Sequence, residues 1–407
     1  MIRRHWNKKM AKRIEAIVEP KLLIWARESI GLSIKEAARK IRVKPEQLES
    51  WELGEARPSI SQLRRAAGNA YKRPLAVFFL PEPPKTLAAM RDFRRLSEEE
   101  PVASSPALLL EIRRAHTRRK TALELAEHLQ ETIPQFKQSV SITDDPDKVA
   151  TKVRKMLGIS LEEQTAWTSQ YTALNAWKTA IEDLNTLVFH MSHLGNTVQV
   201  SEVRGFSISE PTLPVIVVNS RDSVNARIFT ILHEFTHLLL NNGGMCDLRE
   251  YRSLASEEQK AEVFCNRVAG STLVPAEAVR SEEVVLNREY STEWDDTELS
   301  ELASRFSVSR EVILRRLLIL EMTTDEFYNR KRGEFRKAYE EQRKKKKDTG
   351  GFAPHHRLII RNNGPAYTKL VLNAYYRDAI TVRDVSDYLG IKIKHIGKIE
   401  REVMGIP

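Results

Sequence analysis

Cysteine is nearly missing from this 407-residue chain, which carries only Cys246 and Cys265. Two thiols cannot build a disulfide framework, and they suit a reducing compartment. They also exclude an all-cysteine zinc site. Long apolar runs are missing as well. The longest, residues 75–80 and 213–218, fall far short of the ~20 residues that cross a bilayer. The basic start, Met1-Ile2-Arg3-Arg4, is not followed by an apolar signal core. These absences predict a soluble, cytoplasmic protein with no membrane partner. No internal repeat is visible. Hydrophobic residues make up 41% of the chain, enough to bury sizeable cores in two or three domains. The formal net charge of +10 favours nucleic acid or other polyanions, although the basic run 343–347 supplies part of the excess as a solvated stretch.

The first segment, residues 15–84, reads as a set of short helices. Ser33, with Glu36 three residues on, forms a capping box. Lys44 and Pro45 open the next helix, Leu48 and Trp51 form its inner face, and Gly54 ends it. A further helix is predicted over about 59–70, and Pro74 starts a short apolar one. Three prolines within 80–84 mark a domain exit. Residues 85–184 read as a helical connecting region. Segments 187–191, 203–209 and 214–219 read as strands, and 227–240, 254–270 and 297–320 as helices. Residues 331–351 read as a charged linker or exposed helix. Residues 352–407 carry strand and helix signals of their own and read as a small C-terminal module, with Lys392, Lys394, His395 and Lys398 exposed. The fold class is α+β and mostly helical.

The run His233-Glu234-Phe235-Thr236-His237 lies in the segment with the strongest helical pattern. Positions four apart share one face of a helix, so both imidazoles can reach one zinc ion from the same side. Glu234 then lies where it can take a proton from the attacking water and pass it to the leaving amine. Catalytic zinc takes three protein ligands, so a third must come from a separate element. Glu262 is the choice; Glu257, Glu258 and Asp247 are rivals, and Cys265 reads as a small buried thiol. Asn266, one turn beyond Glu262, is placed to orient a ligating histidine. His190 and His193 read as structural or exposed. The strand around Gly205 and Phe206 is a candidate to receive an extended peptide at a sheet edge, with Gly205 admitting a close backbone.

These residues resemble the ImmA/IrrE family of bacterial metallopeptidases. The resemblance rests on Val203-Arg204-Gly205-Phe206, Pro214-Val215-Ile216-Val217-Val218-Asn219, the 229–237 run, Glu262-Val263-Phe264-Cys265-Asn266 and Leu273-Val274-Pro275. It covers about residues 185–320, within a domain placed at 185–330. It implies a gluzincin-like fold, zinc on His233, His237 and Glu262, and Glu234 as catalytic base. The N-terminal region resembles the Xre/Cro type of helix-turn-helix domain, through Ala26-Arg27, Leu32-Ser33, Glu36-Ala37-Ala38, Trp51-Glu52-Leu53-Gly54 and Pro58-Ser59. That resemblance implies DNA contact by Lys44, Gln47, Ser50 and Arg57, and readers of this type often pair as homodimers. A departure is the outer face of 44–53, which also presents Glu46, Glu49 and Glu52; carboxylates beside a polyanion cost affinity. The rival is a module that grips a partner protein.

Two functions are therefore expected. One is a zinc endopeptidase that cuts a repressor-like regulatory protein. The other is a transcription regulator or antitoxin of a toxin–antitoxin or phage-related locus, with a regulatory or structural zinc site and a repressor or toxin as partner. Tyr251 and Arg252 are candidates for the oxyanion-stabilising role by proximity in sequence alone. The pattern at 297–320 is also helix-turn-helix-like, and a structural role beside the metal site is favoured for it.

Overall fold

The computed structural model describes residues 14–84, 105–191, 197–241, 245–246, 256–288, 291–345 and 354–405. The chain divides into two compact units that part at residue 112, within a long helix.

The first unit holds α1 (Pro20–Glu28), α2 (Ile34–Ile41), α3 (Pro45–Glu52) and α4 (Ile60–Arg65). Local chemistry sets their starts. The Ser33 hydroxyl accepts the Glu36 amide while the Glu36 carboxylate accepts the Ser33 amide, closing the expected box. Ser59 and Gln62 repeat the device on α4. Lys44 caps α3 and Pro45 fills its first turn. The single helix expected over 59–70 is two pieces: after Arg65 the chain widens into a π-helix, Ala66–Tyr71, which buries Ala66, Ala67, Ala70 and Tyr71. Leu22, Ala37, Ile41, Leu48, Trp51 and Leu63 form the shared core.

The second unit starts in α5 (Pro106–His128) and continues through α6 (Pro146–Leu157), α7 (Leu161–Ala166) and α8 (Gln170–Glu182). Three four-residue strands follow: β1 (Leu187–His190), β2 (Gly205–Ile208) and β3 (Val215–Val218). Next come α9 (Val224–Leu239), a two-residue β4 (Met245–Cys246) and α10 (Ser256–Leu273). The sheet order is β1-β3-β2-β4, with β1 parallel to β3 and β2 antiparallel to both neighbours. All three longer strands are buried on both faces, which is why their sequence is nearly continuous apolar residues. One face, with Val188, Ile216 and Val218, packs into the core built by α8, α9 and α10.

The chain then runs through α11 (Ala276–Arg280), α12 (Glu283–Leu286), α13 (Asp296–Arg305), α14 (Arg310–Ile319) and α15 (Asp325–Lys345). The 297–320 pattern is thus a real helix pair. Its Leu299, Leu302, Ile313, Leu314 and Leu317 are core residues, and α15 packs on α14, which agrees with a structural role. The segment from 331, expected as a charged linker or an exposed helix, is helical as far as Lys345, as the end of α15.

The last elements are α16 (His355–Asn363), α17 (Pro365–Tyr376), α18 (Val382–Leu389) and α19 (Ile396–Met404). The strand signals expected after 352 produce no strand among the described residues. The described residues after it pack on the rest of the second unit. α16 lies against β1, and Phe189 meets Tyr367 edge-on with ring centroids 5.8 Å apart. Gly364 sits between them at φ 77°, and a Cβ there would stand 2.7 Å from the Val188 carbonyl. The second face of β1 is apolar, and these helices are what cover it.

Candidate metal centre

α9 begins where the Ser223 hydroxyl accepts the Ala226 amide. It is buried from Thr230 to Leu239, so His233 and His237 are carried into the interior. α10 packs along it and presents Glu262. The distances are short: His233 Nε2 to His237 Nε2 is 3.0 Å, His233 Nε2 to Glu262 Oε2 is 3.3 Å, and His237 Nε2 to Glu262 Oε1 is 3.0 Å. This is the metal-competent cluster among the described residues.

The donor set fits a zinc ion. Three donor atoms ~3 Å apart can all lie ~2.0–2.2 Å from one point, the reach of zinc to nitrogen and carboxylate oxygen. His233 Nδ1 stands 3.1 Å from Asn266 Oδ1. With Nδ1–H donating there, the Nε2 lone pair is turned toward the centre, the orientation a ligand requires. The two Nε2 atoms face each other across 3.0 Å, where one cation can take both lone pairs. Burial alone would push Glu262 up, but the two imidazoles hold its carboxyl down at about 2, ionised and ready to ligate.

Glu234 is fully buried, and neither of its carboxylate oxygens has a hydrogen-bond partner. Burial pushes its carboxyl above the ordinary range, against the opposing pull of His237 and His233. Such a group is suited to holding and releasing a proton. Ser207 faces it from β2; the sequence signal for this residue is its period-two relation to Gly205, which the motif-based reading passes over. The Cys265 thiol is buried beside His237, and burial pushes it up.

Gly205 has a different role from the one expected. A Cβ there would stand 2.5 Å from Thr230 Cγ2, 3.0 Å from the Val217 carbonyl and 3.4 Å from Glu234 Cγ. Its missing side chain lets α9 lie close on the sheet. Gly205 and Phe206 also pair with β3 on one side and β4 on the other, so they are not at a sheet edge. Phe206 is a buried core residue. His190 is buried with Nδ1 3.1 Å from the Arg361 carbonyl, a structural placement. Glu257 and Glu258 fall on α10, but their side chains lie outside the described residues, as do Asp247, His193, Tyr251 and Arg252.

In the first unit Lys44 and Arg57 are exposed, and Gln47 and Ser50 are half-buried. The Ser50 hydroxyl donates to the Gln47 carbonyl, 2.9 Å away. Glu52 corrects the expected acidic face. It is buried and accepts three bonds from the Arg27 guanidinium, at 2.8, 2.8 and 3.2 Å, so only Glu46 and Glu49 remain outward.

Residues 181–318 match the Peptidase_M78 family model, the IrrE N-terminal-like domain. Residues 23–68 match the Helix-turn-helix model HTH_3. The chain thus carries a helix-turn-helix followed by a domain of metallopeptidase family type, in an α+β fold. No curated protein matches it. No helix among the described residues is long and apolar enough to cross a membrane.

Proposed function

We propose that this chain is a zinc-dependent endopeptidase acting on a repressor-like regulatory protein, with the N-terminal helix-turn-helix holding it to DNA or to a partner. The observation that carries the reading is the His233–His237–Glu262 triangle with an unpaired, buried Glu234 beside it. A zinc ion there would supply a Lewis acid that polarises the scissile carbonyl and acidifies water. Asn266 keeps the His233 ring in its ligating orientation. Glu234, in the turn between the two histidines, accepts the proton of the attacking water and returns it to the departing amine. Its burial raises its proton affinity, which favours that return. Lys44, Gln47, Ser50 and Arg57 are the DNA contacts in this reading. The match to a helix-turn-helix model supports them, as does the removal of Glu52 from the outer face.

The test is metal analysis together with Glu234→Gln. The purified chain is expected to hold about one zinc, and the variant to keep it. Cleavage of a co-encoded repressor should drop by about 10²–10⁴-fold. A wild type that binds no divalent metal would overturn the metal centre. A zinc-loaded wild type whose cellular effect survives Glu234→Gln would select the second reading, a regulator or antitoxin with a structural or regulatory zinc site.

A further inference from the structure

The helix pair at the C-terminal end repeats the construction of the N-terminal one at a constant offset in residue number, with no insertion or deletion. Each first helix has eight residues, α2 and α18. Each opens on a reciprocal capping box, Ser33 with Glu36 and Thr381 with Asp384. Each ends on a left-handed residue, Arg42 at φ 65° and Gly390 at φ 67°. The next amide then returns to the helix at the same place: Val43 N to the Ala38 carbonyl and Ile391 N to the Ser386 carbonyl, both 3.0 Å. Lys44 and Lys392 then cap the following helix. In the second copy that helix is a 3-10 turn, Ile393–His395, running into α19. The inward positions correspond too. Ala37, Ile41, Leu48 and Trp51 are buried in the first copy; Val385, Leu389, Ile396 and Ile399 are buried in the second. A preceding helix packs on each pair, α1 on α3 and α17 on both α18 and α19.

The outward faces differ in charge. Where α3 exposes Glu46 and Glu49, the second copy has Lys394 and Gly397. Where α3 has Ser50, it has Lys398. Lys392, Lys394, Lys398 and Arg401 are all exposed. Of the acids nearby, Glu402 pairs with Arg357 at 3.0 Å and His356 at 3.3 Å, Glu400 faces the Tyr376 hydroxyl, and Asp387 lines one surface depression with Lys392 and Lys394, so cations outnumber acids on this face. Ile393, 53% exposed, gives the start of the helix an apolar tip of the kind that meets a thymine methyl.

We propose that residues 381–404 form a second helix-turn-helix, and that its last helix enters the major groove of duplex DNA. Lys392, Lys394 and Lys398 meet the phosphates there. The shape argues for B-form duplex, because the major groove of A-form RNA is too narrow for a helix. The charge argues against an ordinary protein partner, since uncompensated lysines are depleted from protein interfaces. The assignment is independent of the peptidase reading.

The test uses the full chain and a mixed-sequence 30-base-pair duplex, with affinity followed by fluorescence anisotropy across salt concentrations. The combined variant Lys392→Ala, Lys394→Ala, Lys398→Ala should bind at least ~10-fold more weakly near 0.1 M salt. Its log–log salt slope should be shallower by about 0.9 for each phosphate left without its lysine. Its thermal melt should be unchanged, because all three side chains are exposed. A second variant, Lys44→Ala with Arg57→Ala, reports separately on the N-terminal copy. The proposal is overturned if the triple variant matches wild type in affinity and slope. It is equally overturned if wild type fails to bind duplex, or prefers single-stranded RNA of the same sequence.

Discussion

At the scale of single residues, the metal cluster joins two side chains of α9 to one of α10. His233 and His237 needed only a helical period, whereas Glu262 was one of several carboxylates in 247–262, and it is the packing of α10 on α9 that brings it to the histidines. Glu52 looks outward on α3 alone, and it takes Arg27 of α1 to turn it into a buried ion pair. Gly205 suggests room for a substrate, whereas the space is filled by Thr230 of α9. That packing has a measurable consequence. The Thr230 hydroxyl is held on the Ala226 carbonyl, so the side chain cannot readily swing clear of an added methyl. Gly205→Ala should therefore destabilise the second unit by ~1–3 kcal/mol, seen as a melting temperature lower by several degrees. An unchanged melt would mean that α9 can shift off the sheet.

Among elements, α8 carries a pair the sequence did not single out. Lys178 and Glu182 lie one turn apart, both ~5% exposed, with Nζ 4.0 Å from Oε1. Burial outweighs their mutual attraction, pushing Lys178 down and Glu182 up to about 7. A carboxyl whose folded pKa lies above its ordinary value stabilises the fold in its protonated form. That contribution is complete below about 4.5, and it is lost as pH rises through about 7. Melts of wild type and Glu182→Gln between pH 4.5 and 8 should therefore diverge. Wild type should lose up to about 3 kcal/mol relative to the variant over that range. Parallel curves would show that Glu182 stays ionised beside Lys178. The cause is tertiary, since Gly364 and α17 close over Glu182, and no helical pattern in α8 announces that cover.

For the molecule as a whole, the helix-turn-helix and the metallopeptidase-like segment were legible because each carries local signatures at fixed spacing. The second copy at 381–404 was not. Its likeness to 33–56 lies in capping, left-handed turns and burial, with Ser matched by Thr, Glu by Asp and Ile by Leu, so there is no identical run to find. The packing of 354–405 on β1 was not legible for a related reason: the apolar face of β1 says that something covers it but not what. A chain ending at residue 351 would leave Phe189 and its neighbours bare. Such a truncation is expected to give insoluble or molten protein, checked by solubility and near-ultraviolet dichroism; a well-folded product would show that the β1 cover is dispensable.

The sheet has a further property once its two flanks are considered together. β1 is roofed by α16, and β2 has already given its free side to β4, itself only two residues long. Among the described residues, the margin on the β4 side is thus only two residues long. Such blunted margins discourage copies from zipping together in concentrated solution. With β4 in that place, a backbone seeking to extend the sheet on this side would meet Met245 and Cys246 before it met Gly205 and Phe206.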